Sequence, residues 1–247
     1  MKSFSPFAPL PDQYLGLISA IAIFVLWLGT LVFALSTDLA AIPNWLILLT
    51  VITRTFLHTG LFIIAHDAAH GTVVTFNRDW NAGLGNLAIS LYALLPYQQF
   101  CHKHYLHHAT PAQAGDPDFH APDRSHPLAW YGQFMGGYLT LGQISRFLII
   151  FTLIFHGLRI YLHISGWSLI LFWVLPLLLS SFQLFYFGTY LPHRLPQQGY
   201  QNRHRATSQN LGVFWSALTC YHFGYHWEHH EYPHLPWFKL PLARQWR

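Results

Sequence analysis

Three short stretches, HDAAH at 66–70, HYLHH at 104–108 and HWEHH at 226–230, gather eight of the chain's eighteen histidines. On a helix, residues four apart are separated by about 40° of arc and residues three apart by about 60°, so each stretch aims its rings from one face. Neutral imidazole is the commonest side-chain metal ligand. His66, His70, His104, His107, His108, His226, His229 and His230 exceed the ligand set of one tetrahedral site, and two metal ions are the natural count. A single HxxxH often arises by chance. One HxxxH with two HxxHH in the same chain does not.

Carboxylates beside such rings hold them by the second ring nitrogen. Asp67, Asp116, Asp118 and Glu228 lie within or near the motifs and are the candidates for that role. His102 and His222 each stand just before a motif and are assigned to the surroundings of the metals rather than to the ligand set. His58, His126, His156, His163 and His204 stand alone and are read as surface or internally bonded residues, while His120 and His234 are left open. HEYPH at 230–234 matches the HExxH of zinc proteases, but Pro233 disfavours the unbroken helix that match requires. Carboxylate di-iron bundles need more glutamates than the two, Glu228 and Glu231, that this chain contains.

These motifs need elements to carry them. Of the 247 residues 53% are hydrophobic and 9% charged, well short of the quarter or so usual in soluble domains. Four apolar runs, about 14–35, 45–66, 147–164 and 168–191, approach the ~20 residues that a helix needs to cross a bilayer. The run 84–95, ended by Pro96, is too short and is expected to be interfacial, re-entrant or packed within the protein. Buried helices of a soluble bundle are the alternative for the long runs, but core helices are usually shorter.

Short links join the first run to the second and the third to the fourth, which predicts two antiparallel transmembrane hairpins. All three motifs then fall on one membrane face. The two links contain no Lys or Arg, whereas the central and C-terminal segments carry Arg78, Lys103, Arg124, Arg194 and others, so that face and both termini are expected to be cytoplasmic. This asymmetry accounts for the net charge of +4 without a nucleic-acid partner. MKSFSPFAPLPD lacks a cleavable leader pattern, so the first run is expected to remain. Cys101 and Cys220 are expected to stay unpaired. The expectation is an all-α integral membrane protein, one domain over 1–247, with a histidine-rich cytoplasmic cap.

HDAAH, HYLHH and HWEHH resemble the histidine boxes of the membrane fatty-acid desaturase and hydroxylase superfamily. More narrowly, HDAAHG, DPDFH at 116–120, FGTYLPHR at 187–194 and HFGYHWEHHEYPHLPW at 222–237 resemble the β-carotene ketolases. The resemblance implies a cytoplasmic di-iron centre and adds His193 to its ligands, which spacing alone does not. It implies an oxygenase that uses O2 to convert the C4 methylene of a β-ionone ring to a ketone, giving echinenone and then canthaxanthin. Phe100, Phe119, Tyr190 and Trp227 are the aromatic candidates for packing on the substrate ring. No nucleotide turn or iron–sulfur cysteine set is visible, so electrons are expected from a separate, ferredoxin-like donor. The rival readings are a fatty-acid desaturase or a carotenoid 3-hydroxylase and, from another class, a metal transporter or sensor. The last would line a path through the membrane with polar groups.

Overall fold

The computed structural model describes residues 12–246, which contain helices and no strand. Residues 1–11, with most of the leader expectation, and Arg247 lie outside the described residues. The first two long helices are α1 (Asp12–Ser36) and α2 (Asn44–Ala69). Next come α3 (Arg78–Ala93), α4 (Tyr97–Ala109), α5 (Pro127–Tyr138) and α6 (Leu141–Tyr161). The fourth run forms α7 (Gly166–His193), followed by the short α8 (Val213–Cys220), α9 (His226–Glu231) and α10 (Leu240–Ala243). Helices α1, α2, α6 and α7 are long and apolar enough to cross a membrane. Large apolar side chains such as Phe33, Val25 and Leu153 face outward on them, a surface suited to lipid.

Two boundaries differ from the sequence reading. α6 begins six residues earlier than the apolar run because Thr140 and Gln143 close a capping box there, and the cap starts the helix. The run 84–95 belongs to α3, a 16-residue helix packed against α2. Its Asn81 accepts from Val74 N at 3.1 Å and donates to Ala68 O at 2.6 Å, holding the end of α2. At Gly85 a Cβ would meet Ala68 at 2.7 Å, so the close approach of α3 to α2 requires glycine.

Helix α7 is not uniform. Its segments Ile170–Val174 and Tyr186–Tyr190 are π-helical, and each ends two residues before a proline, Pro176 and Pro192. Proline lacks an N–H and its ring crowds the carbonyl one turn back, which a widened turn relieves. The Phe172 carbonyl, four residues before Pro176, instead accepts from the buried Arg54 Nε at 3.1 Å. Arg54 also donates to Trp27 O and lies over the Trp27 ring at 5.3 Å. His58 bridges Trp27 Nε1 at 3.1 Å and Tyr92 O at 3.0 Å. These two polar residues of α2 are engaged in tying helices together, which counts against the transporter reading.

Candidate metal centre

Each motif ends up on a helix whose boundary its own neighbours set. α2 ends at Ala69 with His70 as its C-cap, and Gly71 follows at φ +74°, the left-handed conformation that closes helices. α4 starts after Pro96 and carries His104, His107 and His108 on the face that also holds Phe100. α9 follows a tight turn in which Tyr221 and His222 both have positive φ, 47° and 62°. Such strain persists only where the surroundings enforce it, and both side chains are buried.

The rings form two tetrads. His66, His70, His104 and His229 make one, His107, His193, His226 and His230 the other, and within each the ligand atoms lie within 4.8 Å of one another. His108 joins them: its Nε2 is 2.9 Å from His229 Nε2 and its ring stacks on His230 at 4.2 Å. The structure thus brings all nine sequence candidates together.

The Nε2 atoms face each other. His70 and His104 approach to 2.7 Å, His66 and His229 to 3.1 Å, and His193 and His226 to 2.9 Å. His230 Nε2 lies 3.2 Å from that of His107 and 3.1 Å from that of His226. Meanwhile the Nδ1 atoms of His66, His107 and His193 meet Asp67 at 3.1 Å, Asp116 at 3.0 Å and the Arg205 carbonyl at 3.0 Å. Acceptors there fix the proton on Nδ1 and leave the Nε2 lone pair bare, pointing at another ring nitrogen. Lone pairs so placed repel unless a cation lies between them. With metal–nitrogen bonds of about 2.1 Å, neighbouring ligand nitrogens lie about 3.0 Å apart in octahedral and about 3.4 Å in tetrahedral sites. The donor set therefore fits metal ions, and imidazole suits iron, zinc, copper and nickel alike.

Protonation follows the same logic. Burial, then the neighbouring histidines, push His104, His226, His229 and His230 well below the usual imidazole range. Burial brings His70 down to about 4 and His108 to about 2. These rings are neutral near pH 7, as ligands must be. Burial would lower His107 too, but the Asp116 hydrogen bond and the charges of Asp118 and Asp116 reverse the sign and raise it.

The carboxylates divide. Asp67 also accepts from Trp237 N at 2.9 Å, tying the C-terminal segment to the first motif. Asp116 accepts from the N–H groups of Ala112 and Asp118 at 2.7 and 2.8 Å as well as meeting His107. Asp118 lies 3.9 Å from His107 Nδ1, accepts from the Tyr138 hydroxyl at 2.7 Å and is pushed up to about 6, mainly by burial. Glu228 accepts from the Ser208 hydroxyl and lies 3.7 Å from Arg244 Nη1.

A mainly apolar cavity of about 230 Å³ reaches both tetrads, touching His66 and His104 of one and His107 and His226 of the other. Of the four aromatic candidates only Phe100 lines it. Phe119 and Tyr190 pack on Trp130, at 5.3 and 5.6 Å. Trp227 lies beside His204, since with His226, His229 and His230 turned inward the next residue points about 100° away. The sequence reading missed Phe62, Tyr92, Phe134, Tyr138 and Phe223, which do line the cavity. They lie outside the motifs or, like Phe223, at an unmarked position within one.

His102 is exposed, because it sits two residues, about 200°, from the inward His104. His222 is buried but stacks on Trp237 and Tyr225 instead of meeting a tetrad ring. His204 is less solitary than its sequence position implies: it contacts Glu231 at 2.7 Å and lies 5.6 Å from the His230 ring. His120 packs against Phe119 and Trp130, and His234 is exposed. α9 ends at Glu231, so HEYPH is no helical HExxH. Cys101 and Cys220 are free thiols.

Long apolar helices, two histidine tetrads and an apolar chamber touching both define a class: helical, membrane-type proteins with histidine clusters that could hold metal beside an apolar cavity. The chain belongs to the fatty acid desaturase family, which it matches over residues 41–247. It is 39% identical over 237 residues to the β-carotene ketolase of Paracoccus sp. (strain PC1), covering 95% of this chain and 94% of that one. It is 38% identical to the zeaxanthin 4-ketolase of Chlamydomonas reinhardtii over 94% of this chain, which spans about half, 51%, of that longer relative. A β-carotene ketolase of Haematococcus lacustris is 41% identical over 77% of this chain and 59% of its own.

Proposed function

We propose that the protein is a di-iron carotenoid 4-ketolase that converts the C4 methylene of β-ionone rings of β-carotene to a ketone, giving echinenone and canthaxanthin. The observation that carries this reading is the apolar, aromatic-lined cavity whose wall includes rings of both tetrads. It is supported by ketolase relatives that match nearly the whole chain. Bound iron would supply activation of O2 for attack on a C–H bond.

The chain's own residues do the rest. The tetrads hold the metals, and Asp67 and Asp116 fix the orientation of His66 and His107. Phe62, Phe100 and Phe223 pack the ring end against the histidines and keep water out. Each oxygenation consumes one O2, two electrons and two protons, inserts one oxygen and releases one water. Two rounds make a C4 diol, which loses a further water to give the ketone. Asp118, hydrogen-bonded by the Tyr138 hydroxyl, is the carboxylate on that wall able to accept and return the proton of this last step. The electrons come from an external ferredoxin-like donor, and the metal face and both termini lie on the cytoplasmic side, with the long helices as two hairpins.

The test is expression in cells that accumulate β-carotene and contain a competent donor, with pigments identified by chromatography, mass and absorption. Echinenone or canthaxanthin is expected. Zeaxanthin would move the attack to C3, and unchanged β-carotene would overturn the carotenoid reading.

A further inference from the structure

A second apolar groove, of about 190 Å³, lies between α1, α3, α6 and α7. It adjoins the metal-side cavity: Tyr92, Ala93, Phe147 and Leu177 line both and form a narrow neck between them. Beyond that neck it is bounded by Trp27, Leu31, Leu35, Leu158 and Trp173. Its depth follows from the helices. Leu35 packs on the small apolar cluster of Ala34, Val51 and Phe172, so the groove floor is level with Val51 on α2. His66, on the wall of the first cavity, stands fifteen residues further along the same helix, about 22 Å at 1.5 Å per residue. That is well over half of the ~30 Å hydrocarbon thickness of a bilayer.

We infer that the two spaces form one binding site, in which the ring to be oxidised lies at the histidines and the rest of the polyene runs through the Tyr92–Ala93–Phe147–Leu177 neck into the lower groove. This rests on the ketolase reading and adds to it the residues that seat the part of the substrate remote from the chemistry. Three features select a long, thin, apolar occupant. The walls below the neck are almost wholly hydrocarbon and aromatic. Arg54 and His58, the ionisable groups of α2 at this depth, bond to Trp27, Phe172 and Tyr92, and neither lines the groove. And α6, which supplies one wall, has no buried residue, so a single helix with its outer face exposed is all that bounds the groove on that side. A ligand no longer than one ring would occupy the upper cavity alone and have no use for this space.

The experiment pairs a groove residue with an outward neighbour on the same helix. Leu31→Trp and Leu158→Trp fill the groove; Val32→Trp and Leu153→Trp put the same bulk on outward faces that are 56% and 69% exposed. Ketone yield from β-carotene and metal content of the purified protein are measured for all four and the wild type. The groove variants are expected to lose at least about tenfold in ketone with metal content unchanged, and the outward variants to stay within about twofold, an ordinary surface effect. Wild-type yield from both groove variants would overturn the inference and leave the ketolase reading intact. Absence of ketone from the wild type would sink both. If Leu31→Trp loses metal and so fails to fold, Leu158→Trp decides, because α6 has no buried packing to disturb.

Discussion

The two tetrads are built from the same ligand type but are not equivalent. In the first, His70 is half-buried and only His66 has a carboxylate on its second nitrogen. In the second all four rings are buried, and two are oriented from behind, His107 by Asp116 and His193 by a backbone carbonyl. Three of the four rings in the first come from α2 with its C-cap and from α4, whereas the second draws on α4, α7 and α9. The difference teaches that the first site is set largely by local helix packing and stays closer to solvent. The second depends on segments far apart in sequence and has all four rings buried.

That contrast can be broken outright. His229→Ala and His226→Ala remove one ring from the first and second tetrads respectively, and each should abolish ketone formation while the protein stays in the membrane. Elemental analysis should find the bound metal reduced in both, and retained activity in either would refute a shared two-metal centre. Asp116→Asn and Asp67→Asn come next. Partners of ligating histidines typically matter by about 10–100-fold in affinity or activity, and Asp116 should lie at the upper end because two backbone N–H groups also depend on it. A titration of metal-depleted membranes with iron would rank them.

A smaller effect sharpens the asymmetry. Metal should leave the first tetrad several-fold faster than the second under a chelator, since His70 offers the more exposed approach. Biphasic release that becomes monophasic in His70→Ala would establish which phase is which. At the bottom of the scale, Phe119→Leu and His102→Ala should change ketone yield by less than about twofold, as surface or remote substitutions do, whereas Phe100→Ala should lower it clearly. Equal losses at Phe100 and Phe119 would mean that the cavity walls have been misidentified.

The four long helices were legible because apolarity over some twenty residues is a strong signal. Eight of the tetrad and bridging rings were legible because HxxxH and HxxHH lie on single helices and need no tertiary information. His193 was not, since it enters from α7 without a motif partner, and only the family likeness supplied it. The aromatic wall was least legible. Phe62 on α2, Tyr92 on α3 and Phe223 before α9 converge through packing of distant segments, while the residues beside the motifs, Phe119 and Trp227, are turned away by one helical or turn step. Proximity in sequence favours ligands on one helix and misleads for surfaces shared by several.

The Tyr186–Tyr190 segment of α7 has a consequence for His193. A π turn holds one residue more than an α turn, so it acts as a phase shifter: everything beyond it is advanced by one residue's worth of rotation, about 100°. His193 lies three residues past that segment, and its orientation toward His226 and His107 is the sum of α7's ordinary winding and the offsets of its two π segments, of which this is the nearer. The side chain that completes the second tetrad is thus aimed by a counting irregularity in the backbone upstream. Shortening the segment by one residue would leave the helix intact and turn the ligand away.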